Sequence, residues 1–202
     1  MLNECRYPDD IYDRVWYRAT SRPDYLSQIT SDLIQLGSSS GLPPQSVVQS
    51  IISAKNINHT ISPSATTSPL TRTTTTGQHN YSVILYFCEI NKEVVTRPGK
   101  RVFNLTLNIG NSVLIDRTLD IFSLVGARNL LEVSTGAATV GPYTGDINIQ
   151  IVMLPTSELS ASIAGAEVLQ LLSNPMLTPT ASSDGMHEFD CVYESVDVVR
   201  PA

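Results

Sequence analysis

The sequence predicts an all-β fold, an antiparallel β-sandwich with one or two short helices, and three observations carry that prediction. Short segments in which apolar and polar residues alternate recur through the middle of the chain. Turn-forming Gly, Pro, Asn and Ser fall between them, and no helical crossover segments separate them in a β-α-β rhythm. At 202 residues the chain is long enough for a single core that removes roughly 70% of its unfolded surface from water.

Residues 1–25 hold four of the eight Tyr and the single Trp, most of them inside RYPDDIYDRVWYR. This is the pattern of an ordered opening segment in which Tyr7, Arg14 and Trp16 act as structural anchors. Leu26, Ile29, Leu33 and Leu36 fall near helical spacing with Gly37 as a stop, which predicts a short helix over 26–36. Residues 46–54 (SVVQSIISA) are rich in β-branched residues and read as a strand. Between His59 and Thr76, eleven of eighteen residues are Ser or Thr, with little to bury, so a long surface loop is expected there.

Tyr81 to Ile90 (YSVILYFCEI) is apolar at odd and even positions alike, the mark of a central strand covered on both faces. Phe103, Leu105, Leu107 and Ile109 instead alternate with Asn104, Thr106 and Asn108, which predicts a strand with one wet face. Gly110-Asn111 then suits a two-residue type II′ hairpin leading into SVLI, because Gly accepts positive φ at the first turn position. Further strands are predicted at 119–123, 130–134, 147–153 and 164–172. The sandwich module is expected over residues 1–173, with 174–202 as a polar tail or linker.

Composition narrows function. Thirteen Lys and Arg against nineteen Asp and Glu give a net charge of -6, with no run of either sign, which argues against nucleic acid or anionic lipid as partner. Ser and Thr together make 42 of 202 residues, so polarity comes more from hydroxyls than from charge. No apolar stretch is long enough to span a bilayer, and none at the start has the form of a secretory signal.

Catalytic signals are sparse. His59, His79 and His187 sit in polar segments away from any strand-borne nucleophile. Cys5, Cys88 and Cys191 lack paired metal-ligand spacing. Cys88, in the most apolar strand, is expected to be buried and inert, and a Cys5–Cys191 disulfide is an open alternative. Asp9, Asp10 and Asp13 lack the Gly and acidic spacing of a calcium loop. Glu89 and Asp146 are the strand-associated acids that a hydrolase would need, although Glu89 reads better as an acceptor of buried hydrogen bonds. No catalytic, cofactor-binding or metal-ligating residue is therefore assigned. Three N-glycosylation sequons stand at Asn58, Asn80 and Asn104, the first two bracketing the Ser/Thr-rich stretch and the third on the inferred wet face.

Five strings in register carry a family resemblance: RYPDDIYDRVW, LPPQSVVQSIISAKN, YSVILYFCEI, KRVFNLTLNIGN and LPTSELSASIAGAEVLQL. Together, over about residues 6–173, they resemble the malectin-like modules of plant receptor kinases, which often also carry leucine-rich repeats. The resemblance implies a jelly-roll sandwich on the extracellular side of the plasma membrane or in the secretory pathway. It also implies that the chain corresponds to a second tandem module, a fragment of a longer protein. Three departures stand out: Cys88 replaces a usual Ala, Gly165 a common Asn, and the run 92–101 lacks aromatics. In animal malectin, aromatics just after the central strand stack on sugar. Asn91 and Lys92 occupy that place here, so the sugar-binding residues are not carried over.

The function expected is noncatalytic recognition of a cell-wall carbohydrate or of a secreted peptide or protein, with a co-receptor or a second copy as further partners. Tyr12, Tyr17, Tyr25 and Tyr143 are the candidate ligand contacts, although half-buried packing is the more ordinary role for such residues. The alternatives are a structural spacer or dimerisation module and, more remotely, a glycoside hydrolase.

Overall fold

The computed structural model describes residues 25–37, 41–54, 80–136 and 147–171. In order these form β1 (Tyr25–Ile29), α1 (Gln45–Val48), β2 (Ser50–Ala54), β3 (Asn80–Cys88), β4 (Val102–Ile109), β5 (Ser112–Asp120), α2 (Ile121–Val125), β6 (Leu130–Ser134), β7 (Ile147–Met153), β8 (Ser162–Ile163) and β9 (Gly165–Leu171). The strands pair antiparallel in the orders β1-β2-β8, β6-β3-β9 and β5-β4-β7. Only Ala164 separates β8 from β9, and its N–H donates to the Tyr86 carbonyl at 2.9 Å. The first two sheets thus run on into one layer, and β5-β4-β7 forms the other.

The alternation in the sequence builds the interface between the layers. Phe103, Leu105, Leu107 and Ile109 of β4 are all buried, and Leu105, Leu107 and Ile109 stand opposite Ile151, Ile149 and Ile147 of β7. Against them pack Val83, Leu85 and Phe87 of β3 together with Ile52, Val133, Ile163 and Val168. The Phe87 and Phe103 rings meet across the interface with centroids 5.6 Å apart and planes tilted by 36°, a geometry that suits the aromatic quadrupole. Because a strand's side chains alternate, the other residues of β4 must face outward. Asn104, Thr106 and Asn108 do so, each partly exposed.

The uninterrupted apolar character of β3 has a second cause. Its outer face is covered by α1 and the segment following β1. Cys88 and Ile90 pack there with Ile34, Val48 and Ile51, and Tyr86 packs with Val47. The Tyr86 hydroxyl donates to Glu167 Oε2 at 2.9 Å in this buried setting.

Gly110 has φ of 55° while Asn111 keeps negative φ, as a type II′ hairpin between β4 and β5 requires. Three expectations are corrected. The helix predicted over 26–36 is strand β1 followed by a loop, because β1 pairs in register with β2 from Tyr25↔Ala54 to Ile29↔Ser50. Three of the four residues of its supposed apolar stripe are not buried, Leu26, Ile29 and Leu33 being 43%, 62% and 70% exposed, while Leu36 packs beside Ile34. The strand predicted over 46–54 begins as the helical turn α1, and only Ser50–Ala54 is strand. The strand predicted at 119–123 straddles the end of β5 and α2, where Asp120 turns the chain by accepting the Ser123 N–H at 3.0 Å as an N-cap.

A polar cleft at the end of the central strand

The candidate site lies where β3 ends. Glu89, the next residue, is fully buried, and its Oε2 accepts from Arg101 Nε at 2.7 Å while Oε1 accepts the Asn91 N–H at 3.3 Å. Arg101 also donates to the Ser160 carbonyl. The pair satisfies charges that would be costly if buried alone, and it ties the exit of β3 to the start of β4 and to the 157–160 segment. Glu89 is therefore a structural acceptor, as its sequence context suggested. The neighbouring Cys88 thiol is pushed up to about 12, first by burial and then by the Glu89 carboxylate, so little thiolate is present near neutral pH.

Beyond Glu89 the chain turns tightly, with the N–H groups of Val94 and Val95 donating to the Asn91 carbonyl at 3.1 and 2.9 Å. One wall of the cleft is this turn, residues 90–93. The facing wall is residues 28–30 with Asp32, and Arg128 closes the gap between them around a volume of about 690 Å³. That size suits a small ligand or one or two side chains of a partner.

Two glutamines on and just after α1 fix the wall around Asp32. Gln45 pairs with both backbone groups of Ile34, accepting its N–H at 3.1 Å and donating to its carbonyl at 2.6 Å. Gln49 Nε2 donates to the Asp32 carbonyl at 3.0 Å. The segment, lacking regular structure of its own, thereby satisfies its backbone groups.

Arg128 is the most constrained residue here. It has φ of 60°, the only positive value for a non-glycine among the described residues. Three backbone bonds impose this: the Arg128 N–H donates to the Glu89 carbonyl at 3.0 Å, the Gln35 N–H to the Arg128 carbonyl at 2.8 Å, and the Leu130 N–H to the Gln35 carbonyl at 2.9 Å. Such conformations cost about 1 to 3 kcal/mol and tend to persist where surrounding structure enforces them. Its Nη2 donates to Asp32 Oδ2, whereas its buried Nε has no partner among the described residues. Lys92 and Glu93 form a weaker pair at 3.8 Å, both well exposed, of a kind that contributes little. Among the described residues the lining thus carries two cations and two carboxylates, the amides of Gln28 and Asn91, the Thr30 hydroxyl, and no aromatic ring.

Of the residues singled out in the sequence, Asn91 and Lys92 line this cleft. Tyr25 packs against the main core from β1 and is not part of the lining. Asn104 lies on the outer face of β4, with Oδ1 accepting from the Thr118 hydroxyl at 2.7 Å. Asn80 opens β3. Tyr7, Tyr12, Arg14, Trp16, Tyr17, Asn58, Tyr143 and Asp146, with the histidines, Cys5 and Cys191, lie outside the described residues. Among the described residues no three His, Cys, Asp or Glu converge on a metal-sized site, and no helix is long and apolar enough to cross a membrane. Sequence reasoning missed Asp32, Arg128 and the clamping glutamines. The one local hint was Gly126, which ends α2 with φ of 78° and frees the chain for the irregular turn that seats Arg128.

The ectodomain of ANX1 from Arabidopsis thaliana superposes with a TM-score of 0.56 at 15% identity, over 82% of this chain and 45% of that one. This chain therefore spans less than half of that ectodomain. Two β-glucuronidases of Bacteroides uniformis, one covalently bound to cyclophellitol-6-carboxylate aziridine, align at TM-scores of 0.44 and 0.46 with 10% identity, covering 79% and 81% of this chain and 16% of each of theirs. No curated protein matches the sequence significantly. The Malectin-like domain family matches residues 2–171, nearly the whole span over which the five strings lie in register, and the chain belongs to that family.

Proposed function

We propose that this chain is a noncatalytic recognition module in the extracellular part of a receptor-like protein, and that the cleft beside Arg128 receives a secreted peptide or protein segment. Family membership and the likeness of fold to a plant receptor ectodomain support the receptor setting. The lining of the cleft carries the choice of ligand. Among the described residues it offers no ring on which a sugar could stack, but it offers charged groups, amide donors and acceptors, and aliphatic surface at Ile29. A peptide backbone with one apolar anchor uses all of these.

Carbohydrate is the second reading, favoured by the amides and hydroxyls of Gln28, Thr30 and Asn91. A spacer without ligand is the third. The test screens the secreted, folded domain against a displayed random-peptide library and, in parallel, a glycan array holding diglucosides and plant cell-wall fragments. The proposal expects peptides that bind saturably and raise the melting temperature, as any ligand selective for the folded state must. Glycan binding with no peptide enrichment would establish the carbohydrate reading, and silence in both screens would establish the spacer.

A further inference from the structure

The outer face of β5-β4-β7 has a composition that the cleft does not explain. Asn104 and Thr106 of β4, Thr118 and Asp116 of β5, and Asn148 and Gln150 of β7 lie in register across it. These six side chains present amides, hydroxyls and one carboxylate, with Val113 and Val152 exposed beside them and Asp120 at the end of β5. Asn104 occupies the central strand, with Thr118 directly opposite on one side and Val152, 42% exposed, directly opposite on the other. Thr118 Oγ1 donates to Asn104 Oδ1 at 2.7 Å. That bond fixes the amide and leaves its Nδ2 without a partner among the described residues. Further along β4, Asn108 Oδ1 is buried and has no partner among the described residues. Asn104-Leu105-Thr106 is an N-glycosylation sequon.

We infer that Asn104 carries an N-linked glycan whose first sugars lie across this face. In the transfer, Asn104 Nδ2 loses a proton and bonds to the anomeric carbon of a lipid-pyrophosphate-linked oligosaccharide. The bond between that carbon and the pyrophosphate oxygen breaks, and the lipid pyrophosphate leaves with the electron pair. The apolar face of the first sugar covers Val152, and its hydroxyls and acetamide meet the amides and hydroxyls of the neighbouring strands. The face is then occupied by the chain's own glycan, so partners are confined to the rest of the surface, the cleft included. The inference rests on the extracellular placement proposed above, since the modification is made in the secretory pathway.

The test is glycopeptide mapping of the folded chain secreted from eukaryotic cells. The expected result is a glycan on the Asn104 peptide. Thr106→Val, which removes the sequon but keeps shape and strand preference, should lose one glycan, and Thr106→Ser should retain it. Coverage is read by a double-mutant cycle: Val152→Thr should lower the melting temperature more in the glycosylated protein than in the Thr106→Val background. A bare Asn104 beside an occupied Asn58 or Asn80 would overturn this inference while leaving the extracellular reading intact. Three bare sequons in a folded, secreted protein would count against both. Equal Val152→Thr shifts in the two backgrounds would overturn the coverage.

Discussion

The two layers of this sandwich treat their outer faces in opposite ways. The layer built around β3 is covered outside by α1 and the 30–36 segment, which form a second small core with Cys88, Ile90 and Ile51. The β5-β4-β7 layer leaves Asn104, Thr106, Asn148 and Gln150 facing outward with no element over them among the described residues. The cleft exists only on the covered side, because the covering segment supplies one wall and the exit of β3 the other. A strand roofed on both faces thus creates, at the edge of its roof, the irregular backbone from which a binding site can be made.

The largest test of this contrast concerns the buried pair beneath the cleft. Arg101→Met should cost about 3 to 5 kcal/mol in urea unfolding, because Glu89 would remain buried without its partner, and adding Glu89→Gln should recover most of that loss. Next, Leu105→Ala between the layers and Ile51→Ala beneath the cover should each cost about 2 to 5 kcal/mol. A cost for Ile51→Ala as small as that of a surface change would show that the cover is not packed.

Cys88 gives a smaller, pH-dependent effect. Its folded pKa of about 12 lies above the ordinary 9.0, so the contribution is fully present below pH 9.0 and is lost as pH rises toward the folded value. Stability should therefore fall by about 2 to 4 kcal/mol more between pH 9 and 12 in the parent than in Cys88→Ala, and the native thiol should resist alkylation at pH 8 in peptide-mapped labelling. The smallest effect belongs to the wet face. Thr106→Val in unglycosylated protein should change stability by no more than about 0.5 kcal/mol.

Periodicity makes the contrast between the layers legible in the sequence: YSVILYFC has no polar phase, and VFNLTLNI has a strict one. The turn at Gly110-Asn111 was equally plain, since glycine chemistry acts locally. What misled were Leu26, Ile29 and Leu33, whose spacing imitates a helix although pairing with β2 decides the conformation. Apolar residues left exposed carry no phase, so no periodicity rule could have placed them. Of the cleft, the sequence offered only Asn91 and Lys92, and those as residues standing in place of stacking aromatics, not as contacts. Asp32 and Arg128 were not legible, because they come from segments 96 positions apart that meet through an isolated parallel bridge at Gln35 and Asn129. Such a bridge leaves no periodic trace in either segment.

The measurement that bears most directly on the recognition reading is calorimetric titration of a library-selected peptide against the parent domain, Lys92→Ala and Arg128→Asn. Asn tolerates the left-handed backbone that residue 128 must adopt, so the substitution removes the guanidinium and keeps the turn. Each variant should bind at least about tenfold more weakly, or about 1.4 kcal/mol, at an unchanged melting temperature. Unaltered affinity in both would place the binding site elsewhere and contradict that reading.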